Sequence, residues 1–517
     1  MSENFYAVLR SGFADALDRV AVETVSAADG GRRRCYAYGE IEAISARLAN
    51  LLRALELPPG ARVAVRVEKS VEALCVFLAT LRAGYVYLPL NTAYQKAELE
   101  YFLGDARPAL VVIDPSAEAM LGPLIDAIGA RRLTLDAEAR GSLFDAAASQ
   151  PPRQEPAAVR ADEVALILYT SGTTGRSKGA MLTHGNLAAN ARVLHHYWQW
   201  SSTDVLIHAL PIFHIHGLFV AACGALLAGA RMIWFDRFDP LRVIERLPEA
   251  TLFMGVPTLY TRMLAEPALD RSAARSMRLF VSGSAPLLPE THAAWRERTG
   301  HVILERYGMS ETGMLTSNPY GPDPRYGGAC ERRAGSVGFP LPGVELRVRM
   351  PDGRLAGVDE IGEVEVRGPN VFKGYWGMPD KTAEAFTSEG FFRTGDVGRI
   401  DAQGYLWLVG RARDLFISGG YNVYPAEVES YLNALPGVAE SAVVGVAHPD
   451  FGEVGVAYVV ARPGASLEPE ALLAALRHTI AHYKVPKRCF VLEALPRNAM
   501  GKVQKNLLRE RAATLFA

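Results

Sequence analysis

The stretch Ala165-Leu-Ile-Leu-Tyr-Thr-Ser-Gly-Thr-Thr-Gly-Arg-Ser-Lys-Gly-Ala constrains this chain more than any other part of it. An apolar run of strand length stops abruptly in glycines, hydroxyl residues and a single lysine, so a buried strand must open into a tight loop. Such a loop suits an anion. Glycines let successive backbone N–H groups converge, hydroxyls add donors, and Lys178 brings a positive charge. The bland alternative is a Thr/Ser-rich surface turn, but this density of donors straight after a buried strand favours phosphate binding. The loop is not of Walker type, because no Gly-Lys-Ser/Thr occurs in it. A helix is expected from Gly185 to about Tyr197, with Thr183 as its N-cap.

The surrounding pattern fits an α/β protein. Ala61-Arg-Val-Ala-Val-Arg-Val, Tyr85-Val-Tyr-Leu-Pro-Leu and Ala109-Leu-Val-Val-Ile-Asp read as short strands, with helix-period segments such as Ala73 to Leu81 between them. Alternation of this kind gives parallel or mixed sheets with helices on their faces. From about residue 335 the texture changes to short strands punctuated by Gly and Pro, which reads as a small β-subdomain. After Gly410-Arg-Ala-Arg-Asp the helix–strand alternation returns. A chain of 517 residues needs more than one domain. The division expected is a large N-terminal domain over 1–410 and a small, mobile α+β domain over 411–517, with the hinge in Arg411-Ala-Arg-Asp.

Several functions are excluded early. Fifty-five Lys+Arg against 56 Asp+Glu leave a formal net charge of −1, which argues against nucleic acid and against a polybasic membrane contact. Cys35, Cys75, Cys223, Cys330 and Cys489 are scattered singly, so neither a disulfide framework nor a cysteine zinc site is expected, and a reducing compartment, the cytoplasm, is. The N-terminus has no apolar core of a signal peptide and carries Glu3, Asp15 and Asp18. Pro211 to Ala230 carries no formal charge and has the length of a membrane span. Its prolines, histidines and glycines read better as a buried strand-turn-helix.

The loop Tyr169-Thr-Ser-Gly-Thr-Thr-Gly-Arg-Ser-Lys-Gly resembles the phosphate loop of the adenylate-forming superfamily of acyl- and aryl-CoA synthetases, luciferases and peptide-synthetase adenylation domains. Arg306-Tyr-Gly-Met-Ser-Glu-Thr-Gly, Phe392-Arg-Thr-Gly-Asp, Gly410-Arg-Ala-Arg-Asp and Pro496-Arg-Asn-Ala-Met-Gly-Lys follow in that family's order, and the resemblance spans essentially the whole chain. It implies ATP, Mg²⁺ and CoA as cofactors. Thr170, Ser171, Gly172, Thr173, Thr174, Gly175 and Lys178 would hold the phosphates, with Ser310 beside them. Gly283, Ser284, Ala285, Pro286 and Tyr307 would form the adenine slot, and Asp396 with Arg411 would hold the ribose. Asp396 has two oxygens that can accept from both ribose hydroxyls, the bland alternative being a turn aspartate beside Gly395. Glu311 would be the Mg²⁺ ligand, a role its hard carboxylate oxygens suit. Lys502 would meet the charge that builds on the α-phosphate as pyrophosphate leaves. Arg413 stands at the hinge position, and Ser418, Gly419 and Gly420 would line the thiol approach.

Two features narrow the acid. Many relatives carry glycine where this chain has Arg306, and a buried arginine facing a pocket needs an anion, which a second carboxylate on the substrate would supply. An internal pair with Glu305 or another acid is the alternative. The strings Pro211-Ile-Phe-His-Ile-His-Gly-Leu-Phe, Met254-Gly-Val-Pro-Thr-Leu-Tyr and Glu305-Arg-Tyr-Gly-Met-Ser-Glu-Thr-Gly-Met resemble those of malonyl-CoA synthetases. That resemblance makes His214, Ile215, Met309 and Met314 the walls of a short pocket, with His214 also a catalytic candidate. His214 can equally be a satisfied core histidine, and the methionines core filler. Ile215 stands where the family often has threonine, which puts tolerance of larger malonates in doubt. Arg278, with Arg237 and Arg231, is a further candidate for the distal anion.

The function implied is an ATP-dependent, AMP-forming ligase converting malonate and CoA to malonyl-CoA, AMP and pyrophosphate. Its partners would be small molecules, with neither nucleic acid nor membrane, and a lysine acetyltransferase and deacetylase acting on Lys502 are a regulatory hypothesis. The alternatives are another short- or medium-chain or aryl-CoA synthetase, a peptide-synthetase-type adenylation module, a plain phosphotransferase, or a non-catalytic nucleotide-binding homologue.

Overall fold

A computed structural model describes residues 3–25, 33–170, 177–419, 421–498 and 501–516. The chain forms two compact units, one of residues 1–345 with 367–386 and the other of 346–366 with 387–517.

In the first unit the apolar runs form two sheets. One runs, in spatial order, Gly374–Tyr375, Lys178–Thr183, Val164–Thr170, Val86–Pro89, Arg62–Arg66, Leu110–Ile113 and Arg131–Thr134, seven strands among the described residues. Its central pairs are parallel, as Val63↔Tyr87 and Val63↔Leu110 show. The inner strands Leu110–Ile113 and Val164–Thr170 are nearly continuous apolar residues and buried along their length, the pattern of a parallel sheet covered on both faces. The helix Lys96–Ala106 packs Leu99, Phe102 and Leu103 into this core. At the edge the chain reverses: Thr170 pairs antiparallel with Lys178, bracketing the phosphate-type loop, and Gly374–Tyr375 lies antiparallel beyond it.

The second sheet of this unit has nine strands among the described residues, with Leu304–Met309, Leu279–Ser282, Leu252–Gly255, Val205–His208 and Arg231–Phe235 consecutive and parallel. Gly313–Ser317 turns back antiparallel on Leu304–Met309. The apolar run Pro211–Ala230 is not the strand-turn-helix expected of it. The strand ends earlier, at His208, and the run becomes a loop, a π-helical segment His216–Ala222 and the helix Cys223–Ala228. Gly217 enforces that path, since a Cβ there would lie 2.0 Å from the Pro211 carbonyl oxygen. Among the described residues no helix is long and apolar enough to cross a membrane.

The second unit holds the Gly/Pro-punctuated strands as a four-stranded sheet, Glu345–Arg349, Gly362–Arg367, Phe392–Ile400 and Leu406–Arg411. It also holds a sheet centred on the hairpin Val438–His448 and Gly452–Ala461, with Arg488–Leu492 parallel to the latter. Alternation splits the hairpin's two faces. Val443 and Val459 pack with Leu432, Leu472 and Leu476 on one side, and Val444 and Val456 with Leu508 and Ala512 on the other.

Candidate active site

The helix after the phosphate-type loop starts where its cap predicts. Thr183 Oγ1 accepts from the Asn186 N–H at 3.1 Å, Asn186 Oδ1 accepts from the Thr183 N–H at 2.9 Å, and the helix runs His184–Tyr197. Ser171, Gly172, Thr173, Thr174 and Gly175 lie outside the described residues. Both flanks of the loop are tied to the helix Lys96–Ala106. Tyr169 donates its phenol to Asp105 Oδ2 at 2.5 Å, and Tyr101 donates to the Ser177 carbonyl at 2.8 Å. Thr170 is half-buried at the strand end and bonds through its hydroxyl to the Lys178 carbonyl at 3.4 Å. The Lys178 ammonium sits 4.1 Å over the ring of Tyr375.

Glu311 occupies the turn between Leu304–Met309 and Gly313–Ser317, with Ser310 beside it. It is buried, and its Oε1 accepts from the Tyr375 hydroxyl at 3.2 Å. Tyr307 is buried on the same hairpin, opposite Thr316. Gly283, Ser284, Ala285 and Pro286 follow the strand Leu279–Ser282 as an irregular turn in which Ser284 has φ +72°. Its hydroxyl lies 3.4 Å from His216 Nδ1.

Arg306 is the most informative side chain of this hairpin. It is 2% exposed, and its Nε and Nη2 have no partner among the described residues. Burial pulls its pKa down to about 9, so it still carries its charge at neutral pH. The guanidinium lies on Gly283, where a Cβ would be 2.6 Å from its Cζ. The proposed internal partner does not meet it. Glu305 points elsewhere, its Oε1 accepting from the Leu287 N–H at 3.2 Å and its Oε2 unpartnered among the described residues. Burial pushes its carboxyl up to about 8.

His216 Nε2 and Ser282 Oγ are likewise buried without a partner among the described residues. Burial, then the field of Arg306, drives the His216 pKa well below its usual value, so the ring is neutral. Arg306 and His216 therefore present donors with nothing in the described chain to receive them, whereas Ser282 pairs in register with Glu305 and shares its face. A substrate anion fits that vacancy of acceptors.

His214 is half-buried, and its Nδ1 accepts from the His216 N–H at 3.3 Å. Ile215 and Met314 are buried, Met309 half-buried. A Cβ on Gly308 would stand 2.6 Å from Met314 Cε, so the methionine lies flat against that strand. Arg278 is engaged away from this cluster: Asp204 takes its Nε and Nη2 at 2.7 Å each, and the Trp198 carbonyl takes Nη1 at 3.0 Å. Arg231 pairs with Glu23 at 3.3 Å. Arg237 is exposed and lines, with Phe213, Lys69 and Asp236, a cavity of about 220 Å³. Sequence reading passed over His216 and Tyr375. His216 sits inside the string Pro211-Ile-Phe-His-Ile-His-Gly-Leu-Phe, and Tyr375 is the aromatic of Gly374-Tyr-Trp-Gly, an edge strand too short to register as one.

In the second unit, Asp396 and Arg411 face each other across the Phe392–Ile400 and Leu406–Arg411 pair, Nε to Oδ1 at 2.7 Å. Thr394 braces both, its hydroxyl accepting from the Asp396 N–H and its carbonyl from Arg411 Nη1, at 3.0 and 3.2 Å. Arg413 lies in the exposed turn that follows. Ser418 is buried at a strand end, and Gly419, at φ +58°, donates its N–H to the Phe451 carbonyl at 2.9 Å. Gly420 lies outside the described residues. Lys502 follows Gly501, at φ +75°, and is exposed, its N–H held by Asn498 Oδ1 at 2.9 Å.

Comparison with known proteins gives the family. Residues 13–376 match the family model for AMP-binding enzymes, and residues 427–502 match that for the AMP-binding enzyme C-terminal domain. The mitochondrial malonate–CoA ligase ACSF3 of Mus musculus is 37% identical over 86% of this chain and 81% of its own length. A feruloyl-CoA synthase of an Amycolatopsis species is also 37% identical, over 92% of this chain and 93% of its own. The crystal structure of ATP-bound MatB from Rhodopseudomonas palustris superposes with a TM-score of 0.94 at 49% identity, covering 100% of both chains.

Proposed function

This chain belongs to the AMP-binding enzyme family and is an AMP-forming acid–thiol ligase, and from that premise we propose that its acid is malonate and its thiol coenzyme A. The observation that carries the choice of acid is Arg306. Relatives of equal identity act, by name, on malonate and on an aromatic acid. An aromatic substrate would leave the buried Arg306 guanidinium without a counter-charge. A second carboxylate satisfies its fork. Neutral His216 adds an uncharged donor beside it, and Ile215 with Met314 are assigned the walls that exclude long chains.

The reaction needs no protein nucleophile. One malonate carboxylate attacks the α-phosphorus of ATP, pyrophosphate departs, and the resulting acyl-adenylate loses AMP to the CoA thiolate. Thr170 to Gly175 with Lys178 are assigned the phosphates, and Gly283–Pro286 with Tyr307 the adenine. The paired Asp396 and Arg411 are assigned the ribose. Lys502 is assigned the cation that offsets charge developing on the reacting oxygens. Functionally the chain would divide into 1–410 and 411–517, with Arg413 absorbing the backbone rotation between half-reactions and Ser418 to Gly420 lining the thiol path.

Glu311 fits Mg²⁺. It is a single buried carboxylate, and no group of three or more His, Cys, Asp or Glu able to hold a metal exists among the described residues. The ion would thus take its remaining oxygens from phosphate and water, which suits magnesium. When bound, it draws negative charge from the phosphate oxygens. The five cysteines are free, as a reducing compartment such as the cytoplasm would keep them. The exposure of Lys502 leaves it open to acetylation, which would remove its charge.

The test is pyrophosphate release with MgATP and CoA across malonate, methylmalonate, succinate, acetate, octanoate and benzoate, with product masses read in the same tubes. Malonate is expected well ahead, yielding malonyl-CoA and AMP. Octanoate or benzoate ahead would overturn the pocket reading and keep the chemistry.

A further inference from the structure

We propose that Tyr375 is a positioning residue that holds Lys178 and Glu311 in one frame, and so fixes where the metal-bearing triphosphate sits relative to the loop lysine. The proposal rests on the assignment of Lys178 to the phosphates and Glu311 to the metal.

The backbone makes the connection first. Tyr375 pairs antiparallel with Ala180, and the Trp376 N–H donates to the Gly179 carbonyl at 2.8 Å. A few residues earlier, the Phe372 N–H donates to the Glu311 carbonyl, also at 2.8 Å. One short segment thus bonds at one end to the strand that carries Lys178 and at the other to the turn that carries Glu311. Its own position is fixed by Thr382, whose hydroxyl accepts from the Tyr375 N–H at 2.9 Å.

The Tyr375 side chain repeats the bridge. Its hydroxyl donates to Glu311 Oε1 at 3.2 Å while its ring face underlies the Lys178 ammonium at 4.1 Å. The ring is buried and held edge-on against Phe372, centroids 4.8 Å apart. The chemistry suits both neighbours. A phenol orients one carboxylate oxygen without adding a positive charge that would repel a cation at the other. An aromatic face attracts the ammonium weakly, so the lysine is held in reach and not neutralised, as an acid there would neutralise it.

The test is ATP binding by titration calorimetry, with and without Mg²⁺, on the whole chain and its Tyr375→Phe, Tyr375→Leu and Glu311→Gln variants, with no acid or CoA present. In Tyr375→Phe the ring stays and the hydroxyl goes. The Mg²⁺-dependent gain in affinity is expected to shrink about tenfold, the loss of a hydrogen bond to a charged group, with metal-free binding within twofold of the parent. In Tyr375→Leu metal-free binding is expected to fall a further severalfold, because Lys178 loses its platform. A full Mg²⁺ gain in Tyr375→Phe, alongside its loss in Glu311→Gln, would overturn the coupling alone. An equal loss of metal-free and Mg²⁺-supported binding in Tyr375→Phe would overturn it too, as plain packing damage. A parent protein with no Mg²⁺ gain, indifferent to Glu311→Gln, would overturn the Glu311 assignment and the coupling together.

Discussion

Arg82 and Arg306 are buried to the same degree, each 2% exposed, and they are answered in opposite ways. Arg82 closes the helix Val71–Arg82 inside a shell of acceptors. Gln154 offers its carbonyl, Tyr6 and Ser45 their hydroxyls, and Glu42 both its carbonyl and a carboxylate oxygen at 3.0 Å. Arg306 has Gly283 beneath it and a neutral histidine nearby, and its Nε and Nη2 find nothing among the described residues. A buried guanidinium must be balanced by the chain or by something the chain binds. Arg82 is therefore part of the fold, and Arg306 part of the site.

The two should respond differently to truncation. Arg306→Ala is expected to cost about 3–5 kcal/mol in kcat/KM for malonate, roughly 10²–10⁴-fold, and to change acetate turnover little. Its urea unfolding midpoint should not fall, because an unbalanced buried charge has been removed. Arg82→Ala should do the reverse, costing about 3 kcal/mol of folding stability while folded protein keeps its specificity. The lower end of the usual range applies because Glu42 keeps Arg10 at 3.1 Å. Equal losses on malonate and acetate in Arg306→Ala would move Arg306 into the class of Arg82.

That contrast marks what was legible in the sequence. Periodicity carried the strands at residues 62–66, 86–89 and 110–113 and the capped helix at His184, because each depends on residues close in the chain. The motif strings singled out Glu311, Asp396 and Arg411, which the fold sets in a hairpin turn and across one strand pair. Nothing local distinguishes Arg306 from Arg278. The difference is Asp204, more than seventy positions from Arg278 in sequence, whose carboxylate takes two bonds from Arg278. Strand alternation does exclude Glu305 as the partner of Arg306, since neighbours on a strand point to opposite faces. His216 was passed over for the same reason: two histidines spaced by one residue look alike until one is seen buried beside a charge. The Pro211–Ala230 run misled as to element type because a π-helical turn has no propensity signature and here depends on a glycine meeting a distant carbonyl.

Glu305 sharpens the comparison from the acidic side. It is buried next to Arg306 in the chain and neutralises nothing, and burial raises its pKa to about 8 against an ordinary value of 4.5. Between those two values the folded chain keeps a proton that the unfolded chain has released. Stability therefore falls as pH rises from about 4.5 to 8 and levels off above 8. Glu305→Gln keeps an oxygen to accept from the Leu287 N–H and removes the titration. Its stability should vary less over that range and exceed the parent's by up to about 5 kcal/mol at pH 9, read by urea unfolding at a series of pH values. A variant that follows the parent's pH profile would mean that Glu305 is charged and balanced, which would also reopen it as a partner for Arg306.

The smallest effect tests the geometry of Arg306 rather than its charge. Gly283→Ala would put a methyl 2.6 to 2.8 Å from three guanidinium atoms, a contact that something must relieve. The guanidinium is the free end of a flexible side chain, so it moves and the strand Leu279–Ser282 does not. Folding stability should change by less than about 1 kcal/mol. The distal carboxylate, however, would meet a displaced fork, and KM for malonate should rise about tenfold more than KM for acetate, which reads any change at the adenine slot alone. The same substitution is uninformative for Arg82, whose guanidinium is pinned by several acceptors and could not drift without breaking them. If Gly283→Ala destabilises the fold and leaves malonate KM unchanged, the close approach of Gly283 to Arg306 serves packing, and the guanidinium is held as rigidly as that of Arg82.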